Sequence, residues 1–548
     1  FSASHRRAKF RACSADWHQL LGLESGGRPP SVLGKRVGGP FEEDRAEDNQ
    51  QARQRLLRTT DMESAMKEMT GEANTRLVGA RAGAMKAIKD GETPVVAVTA
   101  PGRGKSMLFM LPAWVAPGGT TVVVVPLLES RQSVLQCCQR FGIKCAFWES
   151  GRAIEDASIV MVTSKSAATA GFQSFLDRLH DTRRLDRIVV DECHAIVDNR
   201  NDFRQQLSWL ERFIQARTQL VLLTTTLPPS LEDNLCEAVL HLPRKLVPFF
   251  RELRNQPKVS YCVWDPPKLR SRDRLRFNSW IQSRPVVEFI KRKIRWAGSG
   301  RIIVYANLAE QVRAIAQKLG CEALVRDDSD EPDVLSRFID GTTRVLAARS
   351  GVGIGVDVKN VRCVIHIGIP RSLLVYAEEI AHVGLDGERS EAIIIRRPAC
   401  VSEPLSSVLR EIDGATAEDM ELLENYMCGG LHRCLRSVLK EYLDGTKHER
   451  CLPGQEALCQ GCDLTHDDES SLSDSSSSLV MRERRNSRRF ADMLGTLDSR
   501  SRQRLRSSSV DSKGSATSTP SILSQAAYLN GSGLDSEESI IKVEDEES

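Results

Sequence analysis

Ile188-Val189-Val190 runs straight into Asp191-Glu192-Cys193-His194. Three β-branched residues without a polar break suit a strand buried on both faces, as in parallel sheets. Such a strand commits the chain to crossover connections and to helices covering the sheet. The two carboxylates then stand at the strand's C-terminal end, where ligands of open α/β sheets bind. One acid there can hold Mg²⁺ through water, and the next can orient a water that attacks a phosphate. A strand that merely ends in polar residues fits the same stretch equally well. The other motifs separate the two readings.

The first is upstream. Val95-Val96-Ala97-Val98 reads as a second buried strand. It enters Thr99-Ala100-Pro101-Gly102-Arg103-Gly104-Lys105-Ser106, and the apolar Met107 to Leu111 follows. Strand, Gly-rich loop and helix form a cradle for phosphates, built from loop N–H groups and the helix N-terminus. Lys105 would reach the β/γ-phosphates and the Ser106 hydroxyl would ligate Mg²⁺. Gly102 and Gly104 would let the backbone approach. The strict pattern has Gly where Thr99 stands, so this is a relaxed form. Further strands are expected at Thr121–Val125, Ile159–Val162 and Leu220–Leu223, the last running into Thr224-Thr225-Thr226. A helix is expected over Arg81–Lys89.

A second α/β unit is expected from Arg301-Ile302-Ile303-Val304-Tyr305. Its strands continue at Val345–Ala348, Val364–Ile367 and Ala392–Ile395, with helices near Leu308–Leu319 and Tyr376–Ala381. At 548 residues the chain is too long for one core. The boundaries read as follows: 1–61 a loosely ordered lead-in, 62–248 a nucleotide-binding lobe, 249–284 a linker, 285–410 a second lobe, 411–466 a small cysteine-bearing subdomain, and 467–548 a tail. With 76 basic against 73 acidic residues, any nucleic-acid surface must be a local patch. Trp264, Phe277, Trp280 and Trp296 lie among Arg and Lys residues, which suits either nucleic-acid stacking or a solvated linker with docked aromatics. No apolar run approaches the ~20 residues of a membrane span. The odd count of 15 cysteines and the lack of a signal-like start fit reduced thiols inside a cell. Opening on Phe1 fits a fragment or a processed product.

Together, Gly102 to Ser106, Asp191-Glu192-Cys193-His194, Thr224 to Thr226, Gly351 to Asp357 and Tyr376 to Gly387 resemble the superfamily 2 DNA helicases of the RecQ family. The likeness is greatest to the telomere-linked RecQ-like branch and covers roughly residues 62–466. It implies two RecA-like lobes with ATP and Mg²⁺ between them, 3′-to-5′ movement on DNA, and work in repair or recombination in the nucleus. By the resemblance, Lys105 and Ser106 are the phosphate and Mg²⁺ groups. Asp191 holds the metal, Glu192 is the base, and Gly353, Gly355 and Asp357 face the nucleotide. Several positions depart. The adenine-reading Gln and aromatic are missing from Leu77-Val78-Gly79-Ala80-Arg81. Pro101, Arg103 and Arg349 replace smaller or hydroxylated residues. The family's Gln-Glu-x-Gly-Arg-x-Gly-Arg-Asp-Gly stands here as Glu378-Glu379-Ile380-Ala381-His382-Val383-Gly384-Leu385-Asp386-Gly387. Both arginines are lost, one to His382 and one to Leu385. An arginine finger contributes about 10³–10⁵ in rate, so the expectation is nucleotide binding with poor hydrolysis. The rival is a helicase fold kept as a nucleotide- and DNA-binding module.

Downstream, Cys434-x16-Cys451-x7-Cys459-x2-Cys462 supplies four thiols, two of them as Cys-x-x-Cys. That set suits tetrahedral, structural Zn²⁺, and its spacing resembles the zinc subdomain that follows RecQ lobes. From Asp467 onward the chain is Ser- and Arg-rich and then acidic, which is the composition of a disordered tail. Arg482 to Arg489 and Arg500 to Arg506 suit nuclear import or nucleic-acid contact. Ile540-Ile541-Lys542-Val543 and the acids after it resemble a SUMO-interacting or SUMO-accepting segment.

Overall fold

The computed structural model describes residues 40–466, apart from 103, 126–128, 153, 155, 198–212, 215–217, 255, 268–279, 326–331, 352–357, 398–415 and 430–432. Two sheets organise them. The first has seven strands in the order β3-β4-β2-β5-β6-β1-β7, all paired in parallel. They are β1 Val95–Val98, β2 Thr120–Val125, β3 Cys145–Phe147, β4 Ile159–Thr163, β5 Leu185–Val190, β6 Gln219–Thr224 and β7 Phe249–Arg251. The second has six parallel strands in the order β10-β11-β9-β12-β13-β8. These are β8 Val259–Trp264, β9 Arg301–Ala306, β10 Glu322–Leu324, β11 Val345–Arg349, β12 Val361–Ile367 and β13 Ser390–Ile395. Two tandem RecA-like doubly wound lobes are therefore observed, as the strand pattern implied.

The helices that matter below are α1 Gly79–Asp90, α2 Met107–Val115, α3 Leu373–Glu379, α4 Leu435–Asp444 and α5 Gln460–His466. Alternation along each central strand divides the core. Val96 and Val98 face Phe172 and Leu176 on one side of the first sheet. Val95 and Ala97 face Ile88 and Phe109 on the other. In the second lobe Ile303 and Tyr305 share a face with α4 and the four cysteines. The cysteine segment thus packs as a third layer on the second lobe.

Residues 249–264 do more than connect the lobes. Phe249–Arg251 pairs beside β1, and Val259–Trp264 pairs beside β13. Each sheet takes an edge strand from the stretch read as a linker. Trp264 is buried and stacks on Phe289 with ring centroids 4.0 Å apart, and Trp280 is also buried. Trp296 alone of the three is exposed, and Phe277 lies outside the described residues. The lead-in also differs from expectation. Pro40–Thr59 is a helix docked through buried Leu57 and an Arg53–Asp186 ion pair of 2.8 Å. Residues 1–39 and 467–548, with the basic runs and the SUMO-like segment, lie outside the described residues.

Candidate nucleotide site and cysteine centre

The loop after β1 turns twice through positive φ, at Gly102 (+69°) and Gly104 (+77°), which only glycine adopts without strain. Backbone bonds fix its start. The Thr99 N–H donates to the Thr224 carbonyl at 3.0 Å. The Ala100 N–H donates to the Glu252 carboxylate at 3.1 Å, and Arg81 holds that carboxylate at 3.0 Å. Arg81, which the sequence placed in the adenine-reading segment, thus braces the phosphate loop through a residue just past β7. Glu252 carried no sequence signal, because only the fold brings β7 beside β1.

Lys105 reaches across to the ends of β5. Its ammonium bonds the Asp191 carboxylate at 2.6 Å and also that of Glu192. Burial alone would push the Lys105 ammonium down, but the two carboxylates outweigh it and hold it well up. Burial would likewise raise Glu192, yet Lys105 and His194 together pull it far below the usual carboxylate range. Glu192 sits at φ +51°, a left-handed backbone uncommon for a residue with a side chain and typical of functional turns. Sequence reasoning brought Gly102, Gly104, Lys105, Ser106, Asp191 and Glu192 to one place, and the geometry does the same. Gly353, Gly355 and Asp357 lie outside the described residues.

The donor set fits a triphosphate with a divalent cation. The Ser106 hydroxyl makes no capping bond to α2, and the buried Thr99 hydroxyl has no hydrogen-bond partner among the described residues. Two carboxylates at a strand end are hard oxygen ligands of the kind Mg²⁺ takes.

The last motif comes into the same cleft from the second lobe. Its first residue, Glu378, lies in the last turn of α3. Glu378 accepts from the Thr226 hydroxyl at 2.9 Å and pairs with His194 Nε2 at 2.8 Å. The His194 Nδ1 lies 2.9 Å from the Thr224 hydroxyl and 3.3 Å from Glu192. Glu379 turns inward and bonds the Gly351 N–H at 2.7 Å and His366 at 2.6 Å. Leu385, at a lost arginine position, lies against Gly102: a methyl added there would meet its Cδ1 at 3.3 Å.

The four cysteines converge as expected. Cys434 Sγ is 3.6 Å from Cys451 Sγ and 3.7 Å from Cys459 Sγ, and all four sulfurs lie within 4.8 Å of one another, buried. Thiolates ~2.3 Å from a tetrahedral centre would stand about 3.8 Å apart, so the set fits Zn²⁺. Arg436 on α4 ties this centre to the second lobe by donating to the carbonyls of Gln256 (2.8 Å) and Val259 (2.7 Å).

Comparison with known proteins agrees with this geometry. Residues 80–234 match the family described as DEAD/DEAH box helicase. The ATP-dependent DNA helicase Q-like 2 of Arabidopsis thaliana is 28% identical over 396 residues, covering 68% of this chain and 53% of that protein. The ATP-dependent DNA helicase RecQ of Bacillus subtilis (strain 168) is 23% identical over 399 residues, covering 70% and 64%. The chain thus spans between half and two thirds of the length of these relatives. The fold is also like that of the DUF1998 helicase MrfA in its crystal structure with DNA, at a TM-score of 0.50 and 14% identity over 75% of this chain and 62% of that one. By its motif order, its tandem lobes and its relatives, the chain is similar to the RecQ-like superfamily 2 helicases.

Proposed function

We propose that this chain is an ATP-dependent DNA helicase motor that binds ATP with Mg²⁺ between its lobes, moves 3′ to 5′ along DNA, and hydrolyses nucleotide weakly. The observation that carries the proposal is the Lys105–Asp191–Glu192 cluster, set where the Gly102–Ser106 loop meets the end of β5. In this reading Lys105 would bind the phosphates in place of the acids, Asp191 would hold the metal, and Glu192 would orient the attacking water. Bound Mg²⁺ would supply the charge that neutralises the phosphate oxygens. Such a cation suits the place, because Lys105 and His194 meet the three carboxylates Asp191, Glu192 and Glu378 among the described residues. Weak turnover follows from Leu385, an uncharged side chain lying on Gly102 at a position where the family carries an arginine. A second reading, a nucleotide- and DNA-binding module without turnover, is favoured by the same contact. The cysteine centre would hold one structural Zn²⁺ with no open position. Nuclear placement and SUMO contact through the tail complete the proposal and rest on sequence alone.

The test is ATP hydrolysis by the full chain with and without single-stranded DNA, beside Lys105→Ala. We expect slow turnover that rises with DNA and disappears in the variant. Turnover equal to the variant's, with nucleotide still bound, would establish the binding module instead.

A further inference from the structure

His194 and Glu378 belong to opposite lobes, and the family pattern has Gln where Glu378 stands. The exchange is chemically specific. Both ring nitrogens of His194 face acceptors: Nδ1 faces the Thr224 hydroxyl and Glu192, and Nε2 faces Glu378. The Thr224 hydroxyl spends its own proton on the Thr226 carbonyl at 3.1 Å, so it accepts from the ring. A Gln carbonyl would offer His194 and Thr226 a neutral acceptor, whereas a carboxylate oxygen makes charge-assisted bonds, about twice as strong as neutral ones. Thr226 adds a second bond to the same Glu378 oxygen.

We propose that Glu378 is an interlobe clasp, whose carboxylate holds the second lobe on His194 and Thr226 of the first and keeps the cleft shut in the absence of nucleotide. The turn after α3 makes closure consequential. It brings Leu385 onto Gly102, so a shut cleft covers the phosphate loop while Asp191 and Glu192 occupy Lys105. Nucleotide must then wait for the clasp to open, and its apparent affinity falls by the fraction of molecules that are open. Glu378 is on this view a positioning residue that regulates entry. The link to nucleotide rests on the function proposed above, while the clasp itself rests on the contacts.

The test is hydrogen exchange of the full chain without nucleotide, read on the segments 224–227 and 373–385, for the native protein, Glu378→Ala and His194→Ala. We expect each variant to speed exchange in both segments by about tenfold or more. Each substitution should be felt in the lobe that does not carry it, and the double variant should do no more than either alone. ADP binding, followed by calorimetry, should tighten by a similar factor in Glu378→Ala. Two results would overturn the clasp: variants that melt cooperatively yet leave exchange in the opposite lobe unchanged, or single effects that simply add. If neither protein binds ADP, the nucleotide reading fails, and the exchange data still decide the clasp.

Discussion

Under the function proposed above, Leu385 limits turnover, because it stands uncharged where the family pattern carries an arginine. It touches the phosphate loop from the second lobe, so a longer cationic side chain at that place would reach the same region. Restoring the family's residue in Leu385→Arg should therefore raise DNA-stimulated ATP hydrolysis by at least about tenfold, since an arginine finger typically contributes far more than that. Leu385→Met, which keeps the volume and adds no charge, should not. Equal rates in the two variants, measured by phosphate release, would remove the missing arginine as the cause of slow turnover. His194 gives a second residue-level prediction. Burial alone would lower its imidazole, but Glu378 and Glu192 outweigh this and lift it from 6.5 to about 10. A raised value means that the stability it contributes is whole below about pH 6.5 and drains away as pH climbs through about 10. The melting-temperature gap between the native chain and Glu378→Gln should narrow over that range, and a constant gap would refute the assignment. The sequence showed which residues would gather at the phosphate loop, because strand, glycines, Lys105 and Ser106 are contiguous. It could not show the partner Glu252, which reaches the loop from just past β7, nor that Glu378 of the last motif would meet His194 and Thr226.

At the scale of elements, long apolar strands were legible and short or half-buried ones were not. β1, β2, β5 and β9 each carry at least three consecutive buried apolar residues, and their positions were read to within a few residues. β3, β7 and β10 have three residues each and are only partly covered. Their pairing depends on a neighbour that is already in place. Under the proposed zinc reading, the cysteine layer is the element whose folding would depend on a bound group. Cys434 caps α4, Cys459 immediately precedes α5, and the four sulfurs point at one centre. Cys459→Ser should lower the zinc content from one ion per chain, read by elemental analysis. It should also destabilise the second lobe by something on the order of 4 kcal/mol, as loss of a structural metal does. Full zinc content in that variant would show that another ligand completes the centre.

The described residues are built on two sheets and a cysteine layer, and the chain passes from one sheet to the other between β7 and β8. That stretch carries polar grips. The Arg254 N–H donates to Asp444 at the end of α4, its guanidinium donates to the Ala377 carbonyl on α3, and Gln256 donates to the carbonyls of Ala381 and Val383. The stretch read as a linker also supplies an edge strand to each sheet. Its charged, aromatic composition hides the two edge strands, whose burial comes from sheets formed elsewhere. The crossing sets a mechanical limit. Fully extended, residues 252–258 span roughly 25 Å, and their ends are already sewn into the two sheets. Any relative movement of the two sheets is therefore limited to what seven residues of chain allow. The helix α4 of the cysteine layer grips that stretch at Arg254, so loosening the layer would lengthen the tether between the sheets.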